Sequence, residues 1–187
     1  MRIITGKLKG RQIETPLDLE IRPTSDRCKE SMFNVIEARK GIRDAKILDL
    51  FAGTGNLGFE AISRGAAHVS SVDRSPESAR MIRTGAKHFN IEHQMLFIPS
   101  DVGSFIHKGP PTSYDIIFAD PPYDWPELPM LPDMLLNQGW LKDDGWFLLE
   151  HDARHIFTDD PRCVFAKPYG RTIVSIFLEN PPQSEQE

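Results

Sequence analysis

The chain has 187 residues, of which 40% are hydrophobic and 26% are charged, and its net charge is −5. This composition argues against a disordered protein and suits one globular domain. Residues 1–43 nevertheless carry ten basic and six acidic side chains, so a basic segment of net charge +4 precedes an acidic body. Such a segment can lead a polyanion to one face of the protein.

The sequence shows no targeting or membrane segment. No apolar run approaches the roughly 18 residues that a membrane span needs, and the start lacks the apolar core of a signal peptide. The two cysteines, Cys28 and Cys163, give neither a disulfide framework nor metal-ligand spacing. We therefore expect a cytoplasmic protein without a metal centre.

The first 20 residues predict a small β-hairpin extension. Two strand-like runs, at 2–5 and 11–14, flank a cationic turn with the sequence Gly-Lys-Leu-Lys-Gly. An extended stretch then leads to a helix over about 25–39, which Thr24 or Ser25 can cap.

A regular alternation of strands and helices predicts the main domain, residues 21–179. Strands are expected at 47–51, 68–73, 95–99, 114–119, 146–150, 163–166 and 172–178. Helices are expected at about 56–64, 76–88 and 102–107, and in a stretch that follows a Pro-rich loop at 121–132 and ends near 138. This order indicates an α/β fold, with a Rossmann-like, doubly wound, mainly parallel seven-stranded sheet and a C-terminal antiparallel hairpin. The polar tail, 180–187, is expected to be disordered.

A glycine-rich loop follows the first strand of this domain. Residues 53–58 match the pattern G-x-G-x-x-G at the opening of a helix, where glycines let a ligand lie against bare backbone. Asp73 stands 20 residues after Gly53, at the tip of the next strand, where a carboxylate can accept both hydroxyl protons of a ribose. A nucleoside-bearing cofactor is indicated, although such a loop can also exist without a ligand.

Acidic residues at the strand ends narrow the choice of cofactor. Asp49 lies just ahead of the glycine loop, where it would repel a pyrophosphate but attract an ammonium or a sulfonium. S-adenosylmethionine carries both of these cations and no phosphate. Asp101, after the third strand, can accept from an adenine amino group. Each acid alone could be an ordinary strand-end residue, but three along one edge favour this cofactor.

Residues 120–123, Asp-Pro-Pro-Tyr, follow the fourth strand and form a corner with many acceptors and few donors. The prolines stiffen the backbone and lack N–H groups, while Tyr123 adds a flat ring. Such a corner suits a planar ligand that bears an amino group, or it is simply a Pro-Pro turn with a surface tyrosine. Glu150 ends the fifth strand and can face the same crevice or serve the structure alone. Trp125 could likewise stack on a base or anchor the loop.

Four motifs resemble, in order, those of class I amino-methyltransferases: D-L-F-A-G-T-G at 49–55, V-D-R at 72–74, S-D at 100–101 and D-P-P-Y at 120–123. The segment R-P-T-S-D-R at 22–27 resembles the signature of a narrower family, the bacterial 16S ribosomal RNA guanine-N2 methyltransferases of the RsmD type. Segments 2–11 and 169–172 look like that family too. The resemblance covers nearly all of residues 1–178.

Membership would imply methyl transfer from S-adenosylmethionine to the exocyclic N2 of a guanine, of the position-966 type, in 16S ribosomal RNA of an assembling small subunit. The expected catalytic residues are Asp120 and Pro121, which would hold the amine, and Tyr123, which would stack on the base. The expected cofactor-binding residues are Asp49, Phe51, Gly53, Thr54, Gly55, Asp73, Arg74, Asp101, Arg22 and Thr24. The expected RNA-binding residues are Arg2, Lys7, Lys9, Arg11, Arg27, Pro122 and Tyr123. We expect a monomer that has no membrane partner.

Other functions remain open at this point. The nearest is methylation of adenine N6 in DNA or another RNA, since Asp120 alone does not fix the base. A nicotinamide-dependent oxidoreductase would use the same glycine loop, but it would leave Asp49 and the 120–123 corner unexplained. A non-catalytic RNA-binding module would not need the intact strand-end acids.

Overall fold

The computed structural model describes residues 1–13 and 26–181. Its sheet consists of β1 (Lys46–Leu50), β2 (His68–Asp73), β3 (Met95–Pro99), β4 (Tyr114–Ala119), β5 (Leu141–His151), β6 (Cys163–Tyr169) and β7 (Thr172–Phe177). Its helices are α1 (Asp26–Arg39), α2 (Asn56–Ser63), α3 (Pro76–His88), α4 (Val102–His107) and α5 (Leu131–Leu135), with 3₁₀ turns at Glu92–Gln94 and Leu128–Met130. Within these described ranges, no helix has the length and apolar character needed to cross a membrane.

The seven strands form one sheet in the order β3-β2-β1-β4-β5-β7-β6. Pairing is parallel from β3 through β2, β1 and β4 to β5, whereas β7 runs antiparallel to both β5 and β6. The predicted Rossmann-like, mainly parallel sheet with an antiparallel C-terminal hairpin is therefore confirmed. The chain moves outward from β1 to β3 and then returns to place β4 beside β1. This switch point is where open α/β sheets bind ligands.

Alternating side chains of the central strands feed two separate cores, as a sheet covered on both faces requires. Ile47, Phe118 and Leu148 belong to the core that α1, α2 and α3 cover. Leu48, Ile117 and Phe147 belong to the core on the other face, which α4 and α5 cover. The sheet is thus held rigidly from both sides, and its carboxyl edge is left for the connecting loops.

The predicted N-terminal extension is described only as far as residue 13. These residues, here called the N-terminal hairpin, form a single antiparallel bridge between Arg2 and Gln12 rather than two full strands. Ile3, Leu8 and Ile13 are buried in the core beneath α1 and α2. Apolar packing therefore fixes the hairpin on the domain. The predicted boundary near residue 20 and the start of the helix at 25 lie outside the described residues.

A buried acid also fixes the N-terminal hairpin. Glu60 of α2 is 0% exposed and accepts hydrogen bonds from the backbone N–H groups of Ile4 (2.8 Å) and Thr5 (3.0 Å). It pairs with Arg64 at 2.8 Å and with the buried ammonium of Lys29 at 3.5 Å. We call Lys29, Glu60 and Arg64 the hairpin anchor.

The predicted start of β5 at 146 is wrong, because the strand begins at Leu141. Leu141 pairs with Tyr114 and Trp146 pairs with Ile116, so the extra residues of β5 bulge out of the ladder. The polar run at 142–145 has no strand-like pattern, so its place in the sheet depends on the pairing of β4.

The helix after β4 also differs from the prediction. The segment expected to be a Pro-rich loop, 121–132, already contains a 3₁₀ turn and the start of α5. Pro129 and Pro132 fit there because they occupy first helical turns, where a missing N–H costs nothing. The helix ends at Leu135, before the predicted end near 138. Asn137 then adopts a left-handed conformation, with a φ of 60°.

Candidate functional site

A cleft of about 470 Å³ opens at the carboxyl edge of the sheet, across the switch point between β1 and β4. Predicted site residues line most of it: Asp49, Phe51, Gly53, Thr54, Asp73, Arg74, Asp101, Asp120, Pro121, Pro122 and Tyr123. Trp125 and Glu150, whose roles were open, also line it. Lining residues that were not predicted as site residues include Met1, Asn56 and Thr172. Residues that are far apart in the sequence, from Met1 to Thr172, are thus brought to one edge.

The glycine loop is held in left-handed backbone conformations. Phe51 has a φ of 59°, Gly53 of 52° and Gly55 of 76°. For Phe51 this conformation costs about 1–3 kcal/mol, a strain that clusters at functional sites. The Ala52 N–H donates to the Val72 carbonyl at 3.1 Å, and the Phe51 ring packs edge-on against Trp125 at 5.0 Å. These contacts hold the loop backbone open to the cleft.

Gly55 has a different place from the other residues of the loop. It does not line the cleft, and a Cβ at this position would lie 2.8 Å from Ile82 and 3.0 Å from Phe59. The structure therefore accounts for Gly55 by the turn into α2 and by the close approach of core side chains. A contact of Gly55 with the cofactor stays a prediction.

Asp73, at the end of β2, is fixed by backbone hydrogen bonds. Its Oδ2 accepts from the Gly53 N–H and its Oδ1 from the Ser75 N–H, both at 2.8 Å. Each carboxylate oxygen has a second lone pair, so the group can still accept hydroxyl protons from a ligand. This geometry joins the glycine loop to the neighbouring strand end and orients the acid at the cleft wall.

Asp101 caps α4 by accepting a hydrogen bond from the Ser104 N–H at 3.0 Å. That bond lowers the pKa of the carboxyl group, and the charge of Arg74 adds to the effect. Asp101 is therefore an exposed, ionised acceptor at the far end of the cleft. Arg74 lies beside it and is also exposed.

Asp49 is the most buried acid of the cleft. It is 2% exposed, and its Oδ2 has no hydrogen-bond partner among the described residues. Burial raises the pKa of this carboxyl group well above its usual range, and the nearby charges of Asp120 and Asp73 raise it further, against the favourable Gly58 amide. A buried carboxylate is costly unless a cation or donor meets it. Asp49 therefore suits a cationic ligand group.

The corner at 120–123 is braced from two other elements. The Tyr123 hydroxyl lies 2.9 Å from the Thr172 hydroxyl at the start of β7, and the Tyr123 carbonyl lies 3.3 Å from Nε2 of His155. The backbone N–H of Trp125 donates to the Pro122 carbonyl at 2.9 Å and closes the turn. The ring and the carbonyl groups of the corner are therefore held in place before a ligand arrives.

Of the predicted RNA-binding residues, Pro122 and Tyr123 line the cleft, whereas the five basic residues among them do not. Lys7 bonds to Gln94 at 2.8 Å, Arg11 lies over the Phe89 ring at 5.6 Å, and Arg2 is 3.8 Å from Asp26. Lys9 and Arg27 are exposed. Arg22 and Thr24, expected to touch the cofactor, lie outside the described residues. The described part of the chain contains no cluster of three or more metal-ligating side chains.

A family model described as Conserved hypothetical protein 95 matches residues 1–178. The chain belongs to this family. The match covers the N-terminal hairpin, the glycine loop, the 120–123 corner and the C-terminal strands. Together with the named relatives, it confirms the RsmD-type methyltransferase family that the motifs predict.

Named relatives and solved structures agree with this assignment. The putative rRNA methyltransferase YlbH of Bacillus subtilis is 34% identical over 182 residues, which cover 95% of this chain and 98% of the relative. Ribosomal RNA small subunit methyltransferase D of Escherichia coli is 30% identical over 155 residues, which cover 83% and 76%. The structure of the putative methyltransferase yhhF from Escherichia coli has a TM-score of 0.82 at 29% identity and covers 95% of this chain and 96% of that chain.

Proposed function

We propose that this protein methylates the exocyclic N2 of a guanine in 16S ribosomal RNA, of the position-966 type, during assembly of the small subunit. The coarser activity, S-adenosylmethionine-dependent methylation of ribosomal RNA, follows from the family and its named relatives. The main support for methylation of an amine on a base is that the 120–123 corner lines the same cleft as the three strand-end acids.

The cleft residues fit S-adenosylmethionine, which supplies a methyl group activated by a positively charged sulfur. Asp49 would face the cationic methionine end, because Oδ2 of its buried carboxyl group has no hydrogen-bond partner in the described structure. Asp73 would accept from the ribose hydroxyls and Asp101 from the adenine amine. Asp49, just ahead of the glycine loop, would repel the pyrophosphate of a nicotinamide cofactor, which makes an oxidoreductase a poor fit.

The corner would hold the target amine. Asp120 and the Pro121 carbonyl offer two acceptors for the two N–H groups of the amine, so its nitrogen lone pair would be left for the methyl group. The gain comes from positioning and from polar groups that are fixed in advance. Tyr123 would stack on the base, offsetting part of the unstacking cost by about 1–3 kcal/mol.

The test is transfer of labelled methyl groups to small subunits and their RNA, with the modified nucleoside identified by mass spectrometry. We expect N2-methylguanosine from the wild type, and we expect Asp120→Ala to lose most activity but to keep its cofactor affinity. Asp124→Ala is the matched control, because Asp124 is exposed and lies outside the cleft lining. N6-methyladenosine as the product would replace guanine with adenine, and full activity of Asp120→Ala would refute the role of the corner.

The proposal extends to the form of the substrate and of the enzyme. We propose a monomer that acts on RNA within an assembly particle. Methylation of naked 16S RNA at the same rate as of the particle would contradict the particle requirement. Sedimentation of the free enzyme would test the monomer.

A further inference from the structure

Glu150 is a second acid beside Asp120, and the chemistry described above does not use it. The parallel strands β4 and β5 pair Ala119 with Leu149, so the next residues along them, Asp120 and Glu150, stand side by side at the carboxyl edge. Side chains two apart share a face of a strand, so both acids lie on the face of Phe118 and Leu148. Neighbouring strands are about 4.8 Å apart, so the two side chains can both reach neighbouring groups on one edge of a base.

Burial makes this second acid unusual. Glu150 is 4% exposed, yet it lines the cleft. Burial keeps this carboxyl group out of bulk water, and its place in the lining leaves it within reach of a ligand in the cleft. Thr172, which bonds to Tyr123, lies near it on the adjoining β7, where Glu150 itself pairs with Val174. Glu150 is therefore close to the Tyr123 ring, on which a base would stack.

The edge of guanine matches two adjacent acceptors. In guanine, the N2 amine stands beside the N1–H, so the two groups present donors in a row. In adenine, the N6 amine stands beside N1, which has a lone pair and no hydrogen. An ionised carboxylate only accepts hydrogen bonds, so it would attract the N1–H of guanine and repel N1 of adenine.

We propose that Glu150 is a specificity-determining residue that accepts the N1–H of the target guanine while Asp120 and Pro121 hold its N2 amine. This inference rests on the proposed function, because it assumes that the acceptor is the N2 amine. A site built to bond a donor discriminates strongly against an analogue that lacks it, since a buried polar group is then left unpaired. Glu150 would thus select the base, and Asp120 would orient the reacting amine.

The experiment uses 2-aminopurine, which has the N2 amine of guanine but a lone pair at N1. The position methylated by the wild type is first mapped by mass spectrometry. RNAs spanning it are then made with guanine or with 2-aminopurine there and assembled into particles where the wild type requires them. For each enzyme, the ratio of kcat/KM on the two RNAs is measured, so that the intrinsic difference in reactivity of the two amines is common to all ratios.

We expect the wild type to prefer guanine by about 100-fold or more. Glu150→Gln should reduce that ratio at least tenfold, because a Gln amide can donate to the N1 lone pair of 2-aminopurine. Asp124→Asn, the same chemical change at an exposed position, should keep the wild-type ratio. Cofactor affinity and thermal unfolding of Glu150→Gln, both expected to be close to wild type, check that the variant is folded.

Two results would overturn the inference. The first is that the wild type methylates 2-aminopurine as fast as guanine, a result that does not depend on whether any variant folds. The second is a folded Glu150→Gln that keeps the wild-type ratio. A wild type that yields N6-methyladenosine and no N2-methylguanosine would refute the proposed function itself and the inference with it, and the identity of the product distinguishes this failure from the other two.

Discussion

The hairpin anchor and the cleft each bury a carboxylate, but they treat it in opposite ways. Glu60 is 0% exposed and meets the N–H groups of Ile4 and Thr5 together with the cations of Lys29 and Arg64. Asp49 is 2% exposed, and its Oδ2 meets no donor in the described structure. Removing one partner from a compensated buried charge is strongly destabilising, whereas a buried charge without partners is itself a cost in stability that suits a ligand-binding site.

The charges that surround the two buried acids differ in the same way: Glu60 has cations beside it, and Asp49 has other acids. Burial lowers the pKa of the Lys29 ammonium, but the adjacent Glu60 carboxylate opposes that shift and keeps the pair bonded. Around Asp49 the neighbouring charges are other acids, Asp120 and Asp73, which raise its pKa further beyond the effect of burial. Substitutions in the anchor should therefore change stability, and those in the cleft should change binding and catalysis.

The largest effect is expected from Glu60→Ala. It would leave the buried Lys29 and Arg64 charges without this partner and free two N–H groups of the N-terminal hairpin, at a cost of about 3–5 kcal/mol in the free energy of unfolding. Urea unfolding measures this. Asp49→Asn is the paired variant and should lose no stability at neutral pH. If Glu60→Ala lowers the free energy of unfolding by less than about 1 kcal/mol, water has replaced the Glu60 carboxylate. The proposed contrast between a structural Glu60 and a ligand-binding Asp49 would then be wrong.

Asp49→Asn should weaken S-adenosylmethionine binding. Removing a charged acceptor costs about 1.5–3 kcal/mol, which corresponds to roughly 10–150-fold in Kd. Calorimetry with the cofactor measures the loss, and Asp124→Asn controls for the change in net charge. An unchanged Kd would show that the buried carboxyl does not face the cationic end of the cofactor.

The raised pKa of Asp49 also predicts a pH dependence of stability in the absence of cofactor. Between the unfolded-state pKa of about 4 and the higher folded-state pKa, the folded protein binds the extra proton, so its stability falls as pH rises through that window. Asp49→Asn lacks this loss. The difference in unfolding free energy between the variant and the wild type should therefore grow by up to about 1.4 kcal/mol per pH unit and then level off. A constant difference would contradict the raised pKa.

The contrast also separates what sequence can predict from what it cannot. The glycine loop, Asp49, Asp73, Asp101 and the 120–123 corner could be predicted because each is a short pattern at a strand end, and parallel strands bring their ends to one edge. The anchor could not, because Glu60 bonds to Ile4 across 56 residues with no local pattern. The brace between Tyr123 and Thr172 spans 49 residues in the same way.

A smaller effect is expected from that brace. Thr172→Val removes the 2.9 Å hydrogen bond to Tyr123, which should cost about 0.5–1.5 kcal/mol and lower kcat/KM for RNA roughly 2–10-fold. Thr172→Ser should restore it. Because Tyr123→Phe removes the same bond, the double variant should be no worse than the worse single variant. Additive losses in this cycle would mean that the two hydroxyls act separately.

The smallest effect is expected at Lys9, which tests whether the N-terminal hairpin binds RNA in addition to packing on the domain. Lys7 bonds to Gln94 and Arg11 covers Phe89. Lys9 is exposed at the hairpin turn and is therefore the cleanest probe of a phosphate contact. Lys9→Glu should weaken RNA binding and reduce the slope of log K against log salt by about 1. Stability and cofactor affinity should not change, since neither the anchor nor the cleft includes Lys9. Lys108→Glu is the control, because it reverses an equal charge on the opposite face of the sheet, just after α4. This variant should leave the salt slope unchanged. If both variants have the same salt slope, Lys9 makes no phosphate contact. The N-terminal hairpin would then have only a structural role, and the RNA would be bound by the cleft alone.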